Sequence, residues 1–199
     1  DSYVPPLLEE VASKTELLVH SSSHVVPISE VAIVEALCAF LQAMLVPEHV
    51  STMDASALEV YFMLCAVWAA GGALPFDQRD RFDAYWRSSA IGVLLPDGCS
   101  VFDVVVQPGT HRLVPWAEAA SAAQQAHSQQ PDAISFATTT MLSLHFWLDH
   151  LLAAGRATVL VGPSGTGKSH IINRKLAALP QPRGAKEFST AALKIHYLK

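Results

Sequence analysis

The chain is poor in charge: Asp, Glu, Lys and Arg make up only 16% of its 199 residues. That excludes a charge-rich disordered segment, which stays open because it has little to bury. The basic sign is the scarcer one, with 13 Lys and Arg against 18 Asp and Glu and a formal net charge of −5. No basic face is available for a phosphate backbone, so no nucleic-acid partner is expected. Cysteine is scarce as well. Cys38, Cys65 and Cys99 are odd in number and far apart, which excludes a disulfide framework and fits a reducing compartment. Cys38 and Cys65 lie in apolar helical stretches and are read as buried free thiols. Long hydrophobic runs are missing too. The longest, residues 55–70, is too short to span a bilayer and contains Glu59, so it reads as a core helix and no membrane partner is expected. Residues 1–6 lack the basic n-region of a secretory leader. The nine histidines form no metal pattern with cysteine. His20 and His24 are four apart but sit in a Ser-rich break, and His145 and His150 read as the polar edge of a helix.

What remains is core-forming material. Residues AVILMFWYC make up 51% of the chain, the mean hydropathy is +0.29 and the pI about 6.0. This is a globular chain long enough for one large or two small domains. Pro5-Pro6 opens a first helical stretch with Leu7, Leu8, Val11, Leu17 and Leu18 as its apolar positions. Ser29 is a plausible N-cap for a second, whose buried face is read as Val31, Val34, Leu37, Cys38, Leu41 and Leu45, with Pro47 ending it. Asp54 can cap a third, with the stripe Leu58, Tyr61, Phe62, Cys65 and Trp68 and a stop at Gly71-Gly72. Residues 77–88 read as a fourth, anchored by Phe82, Tyr85 and Trp86. Four helices with short connections predict a small helical bundle over residues 1–95.

The texture then changes. Val101–Val106, the turn Pro108-Gly109-Thr110 and His111–Trp116 predict a β-hairpin; Trp116 reads as a packing anchor rather than a ligand-stacking residue. Ala117–Gln130 lacks a clear apolar stripe and reads as a linker, in part helical. A helix from Thr138 to Ala153 follows, with Met141, Leu144, Leu148, Leu151 and Leu152 on its apolar face, turned at Ala154-Gly155-Arg156.

The chemistry lies in Gly162-Pro163-Ser164-Gly165-Thr166-Gly167-Lys168-Ser169, the pattern G-x-x-x-x-G-K-[ST]. Its glycines let the backbone close around a phosphate with the N–H groups pointing inward at the start of a helix, where the dipole favours negative charge. Lys168 would reach the β- and γ-phosphates and the Ser169 hydroxyl would ligate Mg²⁺. The flanks agree: Ala157–Val161 reads as a buried parallel strand, and His170–Leu179 as a helix stopped by Pro180. A Gly-rich turn matching by chance is the alternative, and the strand–loop–helix order speaks against it. The candidate nucleotide-binding set is therefore Gly162, Pro163, Ser164, Gly165, Thr166, Gly167, Lys168, Ser169 and His170. Glu187-Phe188-Ser189 reads as a second strand. No apolar run ending in Asp or Glu follows, so no catalytic acid is assigned and the chain is expected to be a piece of a longer one.

The order of these motifs resembles one family, the dynein heavy chain, from about residue 4 to about 190. Val4-Pro5-Pro6-Leu7-Leu8-Glu9 is similar to the opening of the second AAA module's small helical domain. Residues 62–72 look like its apolar helix ending in W-x-x-G. Asp80-Arg81-Phe82-Asp83, Val101-Phe102-Asp103 and Val114-Pro115-Trp116 resemble the segment closing that module. Leu148–Leu152 ahead of the Gly162–Ser169 loop looks like the entry to the third module. The implied fold class is α/β with a mainly α N-terminal part: a small helical AAA domain (1–95), a β-hairpin and linker (96–130), and the beginning of a P-loop AAA+ parallel-sheet core (131–199). The resemblance implies ATP or ADP with Mg²⁺ as ligands, and Ile134 on the adenine side, although residues 131–138 depart from the family's P-T-x-D-T-x-R. It implies a microtubule motor whose partners are neighbouring AAA modules, the microtubule through distant parts of the parent, and dynein intermediate and light chains. The expected location is the cytoplasm and cytoskeleton, with the cilium or flagellum axoneme favoured over cytoplasmic dynein. A P-loop nucleotide-handling enzyme of another family, or an AAA+ module that binds without hydrolysing, are the competing expectations. Residues 1–199 alone are expected to bind ATP poorly, to hydrolyse none and to self-associate through the 157–161 run.

Overall fold

A computed structural model describes residues 28–46, 50, 53–88, 93–126 and 138–178. The stretches read as the first helix and the second P-loop strand, together with His20, His24, Pro47 and Ile134, lie outside these residues. The described chain divides into two compact units, 1–162 and 163–199. Among the described residues no helix is long and apolar enough to cross a membrane.

In the first unit, α1 spans Glu30–Met44. Ser29 caps it, its side chain accepting from the Ala32 N–H at 3.2 Å. The buried face overlaps the expected one only in part: Leu37 is buried and Leu41 and Leu45 pack against the core, but Val31, Val34 and Cys38 do not. Ile33, Leu37 and Met44 are buried, whereas Val31 and Val34 are 67% and 47% exposed and Cys38 is exposed. Two interleaved apolar sets run along this helix, 33/37/40/44 and 31/34/38, and periodicity alone does not choose between them. Phe40 decides: its ring lies 4.4 Å from Trp147, and that contact turns the 33/37/40/44 set inward.

α2 spans Ala55–Gly71. The Asp54 carboxylate accepts from the Ala57 N–H at 2.7 Å, as its sequence position predicts. Every residue from Tyr61 to Gly71 is buried, so this is the central rod of the core and not a one-sided stripe. Leu58, read as part of the stripe, is 38% exposed because it sits in the first turn, ahead of the enclosed part. Gly71 is tightly held: a Cβ there would lie 2.6 Å from Phe102 Cζ and 3.0 Å from Phe82 Cζ.

α3 spans Phe76–Ser88, with Phe82 and Trp86 buried. The two rings stack at 5.5 Å, and Phe82 also meets Phe102 at 5.3 Å. Asp83 reaches across the sequence. One carboxylate oxygen accepts from the Val101 N–H at 2.7 Å and the other from Arg87 Nε at 2.7 Å, while Arg87 also donates to the Cys99 carbonyl.

The hairpin is shorter than the sequence reading. β1 is Val104–Val106 and β2 Leu113–Pro115, antiparallel, with Val105 opposite Val114. Val101 and Phe102 lie in a turn instead, held by Ser100 and Asp103: the Ser100 N–H donates to the Asp103 carboxylate at 3.1 Å and the Phe102 N–H to Ser100 Oγ at 3.2 Å. Trp116 is a packing anchor as read, 4% exposed, and its Nε1–H donates to the Phe102 carbonyl at 2.9 Å.

The expected linker is largely α4, Trp116–Ala126, packed against both strands and against α5. Alanine is the strongest helix former, and here a helix needs no broad apolar stripe because Trp116 anchors its first turn. α5 spans Thr139–Ala153, capped by Thr138. Trp147, Leu148 and Leu151 are buried and Leu152 is 42% exposed, so the face is turned towards Trp147, which the sequence reading left out. The helix ends in a Schellman turn: the Gly155 N–H bonds the Leu152 carbonyl at 3.0 Å and the Arg156 N–H the Leu151 carbonyl at 2.8 Å, with Gly155 at φ 67°.

Candidate functional site

The run into the loop differs from expectation. Residues 156–163 carry no strand, and Val159 and Val161 are 82% and 54% exposed. A parallel strand exists only through a hydrogen-bonded neighbour, and among the described residues none pairs with this run. Gly162, in extended backbone, closes the first unit.

The second unit supplies the rest of the loop. Gly165 and Gly167 both have φ 82°, the left-handed region that costs an L side chain roughly 1–2 kcal/mol. A Cβ on either would meet nothing within 4 Å. These glycines are therefore required by backbone conformation, and the space beside them is open to a ligand. α6 begins at once, Lys168–Ala178, two residues earlier than the sequence reading. Its first bond runs from the Ile171 N–H to the Gly167 carbonyl at 3.1 Å. Gly167 is thus the N-cap, and the N–H groups of Lys168, Ser169 and His170 fall in the first turn, which has no intrahelical acceptors for them.

Side chains gather around the loop. The Thr166 hydroxyl donates to the Pro163 carbonyl at 3.0 Å. The Lys168 ammonium donates to Thr166 Oγ1 at 3.2 Å and to the same Pro163 carbonyl. So Pro163, Thr166, Gly167 and Lys168 are brought together, with the cation over the loop. Ser164, Ser169 and His170 are exposed. The donor set suits a polyphosphate: a helix N-terminus, the Lys168 ammonium and the hydroxyls of Ser164, Thr166 and Ser169. Among the described residues no group of three His, Cys, Asp or Glu could hold a metal ion.

A second constellation, in the first unit, was not legible in the sequence. Tyr61, His111, Phe146 and His150 line a cavity of about 710 Å³ together with the ends of α1 and α5. They come from α2, the hairpin turn and α5, so no spacing signals them. His111 has φ 54°, unusual for a residue with a side chain. Its Nδ1 lies 3.4 Å from the Tyr61 hydroxyl. Burial pushes the Tyr61 phenol above its ordinary pKa, with Cys65 adding to the shift.

Comparison with known proteins agrees with this geometry. Residues 1–118 match the family described as dynein heavy chain AAA lid domain, and residues 123–193 the P-loop containing dynein motor region. The chain is 29% identical over 184 residues to the dynein alpha chain of the flagellar outer arm of Chlamydomonas reinhardtii. It is 28% identical, over the same length, to dynein axonemal heavy chain 9 of Homo sapiens and to the ciliary dynein beta chain of Tripneustes gratilla. Each match covers 90% of this chain and 4% of the relative, so the chain spans a small part of the length of the curated relatives it matches.

Proposed function

The chain belongs to the dynein heavy chain family, and on that premise we propose that it carries an ATP- or ADP-binding site, with Mg²⁺, whose occupancy regulates a microtubule motor. One observation carries the nucleotide reading: two left-handed glycines leading directly into a helix whose first residue is Lys168. The nucleotide residues would be Gly162–His170, with Lys168 on the β- and γ-phosphates and Ser169 on the metal. Bound Mg²⁺-nucleotide would supply the phosphate charge that the loop amides and the lysine are arranged to meet. Ile134 is retained as the adenine-side residue of this reading.

Residues 1–95 would form the lid of one AAA module, 96–130 the hairpin and connection, and 131–199 the start of the next module. The partners would be neighbouring AAA modules, the microtubule, and dynein intermediate and light chains. The printed names of the relatives (flagellar, axonemal, ciliary) favour an axonemal motor. The lid helices ahead of the loop argue against a P-loop enzyme of another family, because such an enzyme has no need of them.

The test is direct. A fluorescent ATP analogue with Mg²⁺ should bind the purified chain, and Lys168→Ala should weaken it about 10- to 100-fold, the loss of a charge-assisted contact worth roughly 1.5–3 kcal/mol. In the full-length parent the same substitution should slow microtubule gliding and leave some ATPase activity. Equal affinity of wild type and Lys168→Ala would refute the site. Complete loss of ATP turnover in the folded parent would show that this site is the main engine and not a regulator.

A further inference from the structure

The cation of the phosphate loop does not extend into water. Lys168 is half-buried, while Pro163, Ser164, Thr166, Ser169 and His170 around it are exposed. A lysine at the start of a helix is free to point outward, and holding so long a side chain in one place costs conformational entropy. Here it folds back over the loop. Its ammonium donates to the Pro163 carbonyl and, at 3.2 Å, to Thr166 Oγ1.

The part played by the Thr166 hydroxyl is fixed by its two neighbours. It lies 3.0 Å from the Pro163 carbonyl and 3.2 Å from the Lys168 ammonium. A carbonyl only accepts and an ammonium only donates. The hydroxyl therefore gives its one hydrogen to Pro163 and offers a lone pair to Lys168. Pro163, Thr166 and Lys168 close a ring of hydrogen bonds within the loop. The β-methyl group of threonine restricts χ1, which keeps the hydroxyl in this place. The pattern G-x-x-x-x-G-K-[ST] leaves the residue at 166 open. The loop backbone does not require a hydroxyl there, so its contribution is a feature of this chain.

From this ring we infer that Thr166 is a positioning residue of the nucleotide site: it sets the Lys168 ammonium over the loop before the phosphates arrive. The inference rests on the nucleotide reading proposed above and adds a residue that acts through Lys168. Binding then does not have to order the lysine, and a preorganised partner binds more tightly than a mobile one. Valine at 166 would keep the shape but neither donate nor accept, leaving Lys168 with the Pro163 carbonyl alone. Serine would keep the hydroxyl and lose only the restriction on its rotamer.

The test uses the whole chain and two readouts. The first needs no nucleotide: the NMR order parameters of the Lys168 side-chain methylenes. They should fall in Thr166→Val and largely recover in Thr166→Ser, with circular dichroism unchanged in both. The second is the affinity for a fluorescent ATP analogue with Mg²⁺. Thr166→Val should weaken it about two- to ten-fold, the span set by the cost of immobilising one long side chain, and Thr166→Ser should weaken it less. On a Lys168→Ala background Thr166→Val should have almost no effect, because the two residues act as one unit. The positioning role is overturned if Lys168 is as mobile in wild type as in Thr166→Val, or if Thr166→Val weakens the analogue as much without Lys168 as with it. Either result leaves the nucleotide site standing. Equal affinity of wild type and Lys168→Ala would instead remove the nucleotide site itself, and the inference with its premise.

Discussion

Two glycines show how differently the same residue can be constrained. At Gly71 the backbone is helical and the limit is space, since an added methyl would press into Phe102 and Phe82. Gly71→Ala should therefore lower global stability by about 1–3 kcal/mol, the usual cost of overpacking, read as a reduced urea midpoint. At Gly165 space is free and the limit is φ 82°. Gly165→Ala should leave the urea midpoint of the helical unit in place and weaken nucleotide binding, because the strain falls on the loop alone. The loop motif was legible in the sequence because its chemistry is contiguous. The Tyr61–His111–His150 constellation was not, because it is assembled from three elements. Between these extremes is Asp83. The sequence reading placed Asp80–Asp83 and Val101–Asp103 in one closing segment without saying how they meet, and the structure shows the bond from the Val101 N–H to the Asp83 carboxylate.

For whole elements, what periodicity failed to settle was phase. The caps Ser29 and Asp54 were read correctly because each is a local hydrogen bond; Thr138, read as the first helical residue, is the cap of α5 by the same kind of bond. Which side of α1 faces inward depends on Trp147, more than 100 residues away, and no local pattern carries that. Leu37→Ala should cost about 2–5 kcal/mol and Val34→Ala less than about 0.5 kcal/mol; equal costs would mean that the helix is turned differently. The fully enclosed α2 has a further consequence. Burial pushes the Cys65 thiol far above its ordinary value of 9.0 and raises Tyr61 as well. The folded state keeps these protons while the unfolded chain releases them, so stability is complete below pH 9 and falls as pH rises through 9 and 10. The decline approaches about 1.4 kcal/mol per pH unit for each group. Urea midpoints from pH 7 to 10 should show it, and Cys65→Ala should remove the part that begins near pH 9.

In the molecule as a whole, the helices, the hairpin and α5 share one core, tied by the chain of rings Phe82–Phe102–Trp68–Trp147–Phe146–Trp116. Arg79 is part of that joint. Its guanidinium lies 4.6 Å from both the Phe76 and the Phe102 ring centres, and burial lowers its pKa while Asp103 opposes the shift. This arrangement changes where the chain should be cut. Composition alone marks 117–130 as the weak point, but α4 places residues 117–126 in a helix packed on the strands and on α5. The exposed backbone is instead the run after Arg156, which has neither helix nor strand up to the loop. Proteases cut where backbone is accessible and unsupported, and trypsin cleaves after arginine. Brief trypsin treatment should therefore act first at the Arg156–Ala157 bond and leave a 1–156 product with most of the helical circular dichroism and a cooperative thermal transition. Because that product holds the whole ring chain but not the loop, it should lose the response to Mg²⁺-ATP. In the intact chain, nucleotide at 100 times its dissociation constant should stabilise the bound state by about 2.7 kcal/mol. A 1–156 product without a cooperative transition would show that α5 and the hairpin do not belong to the core of the helices.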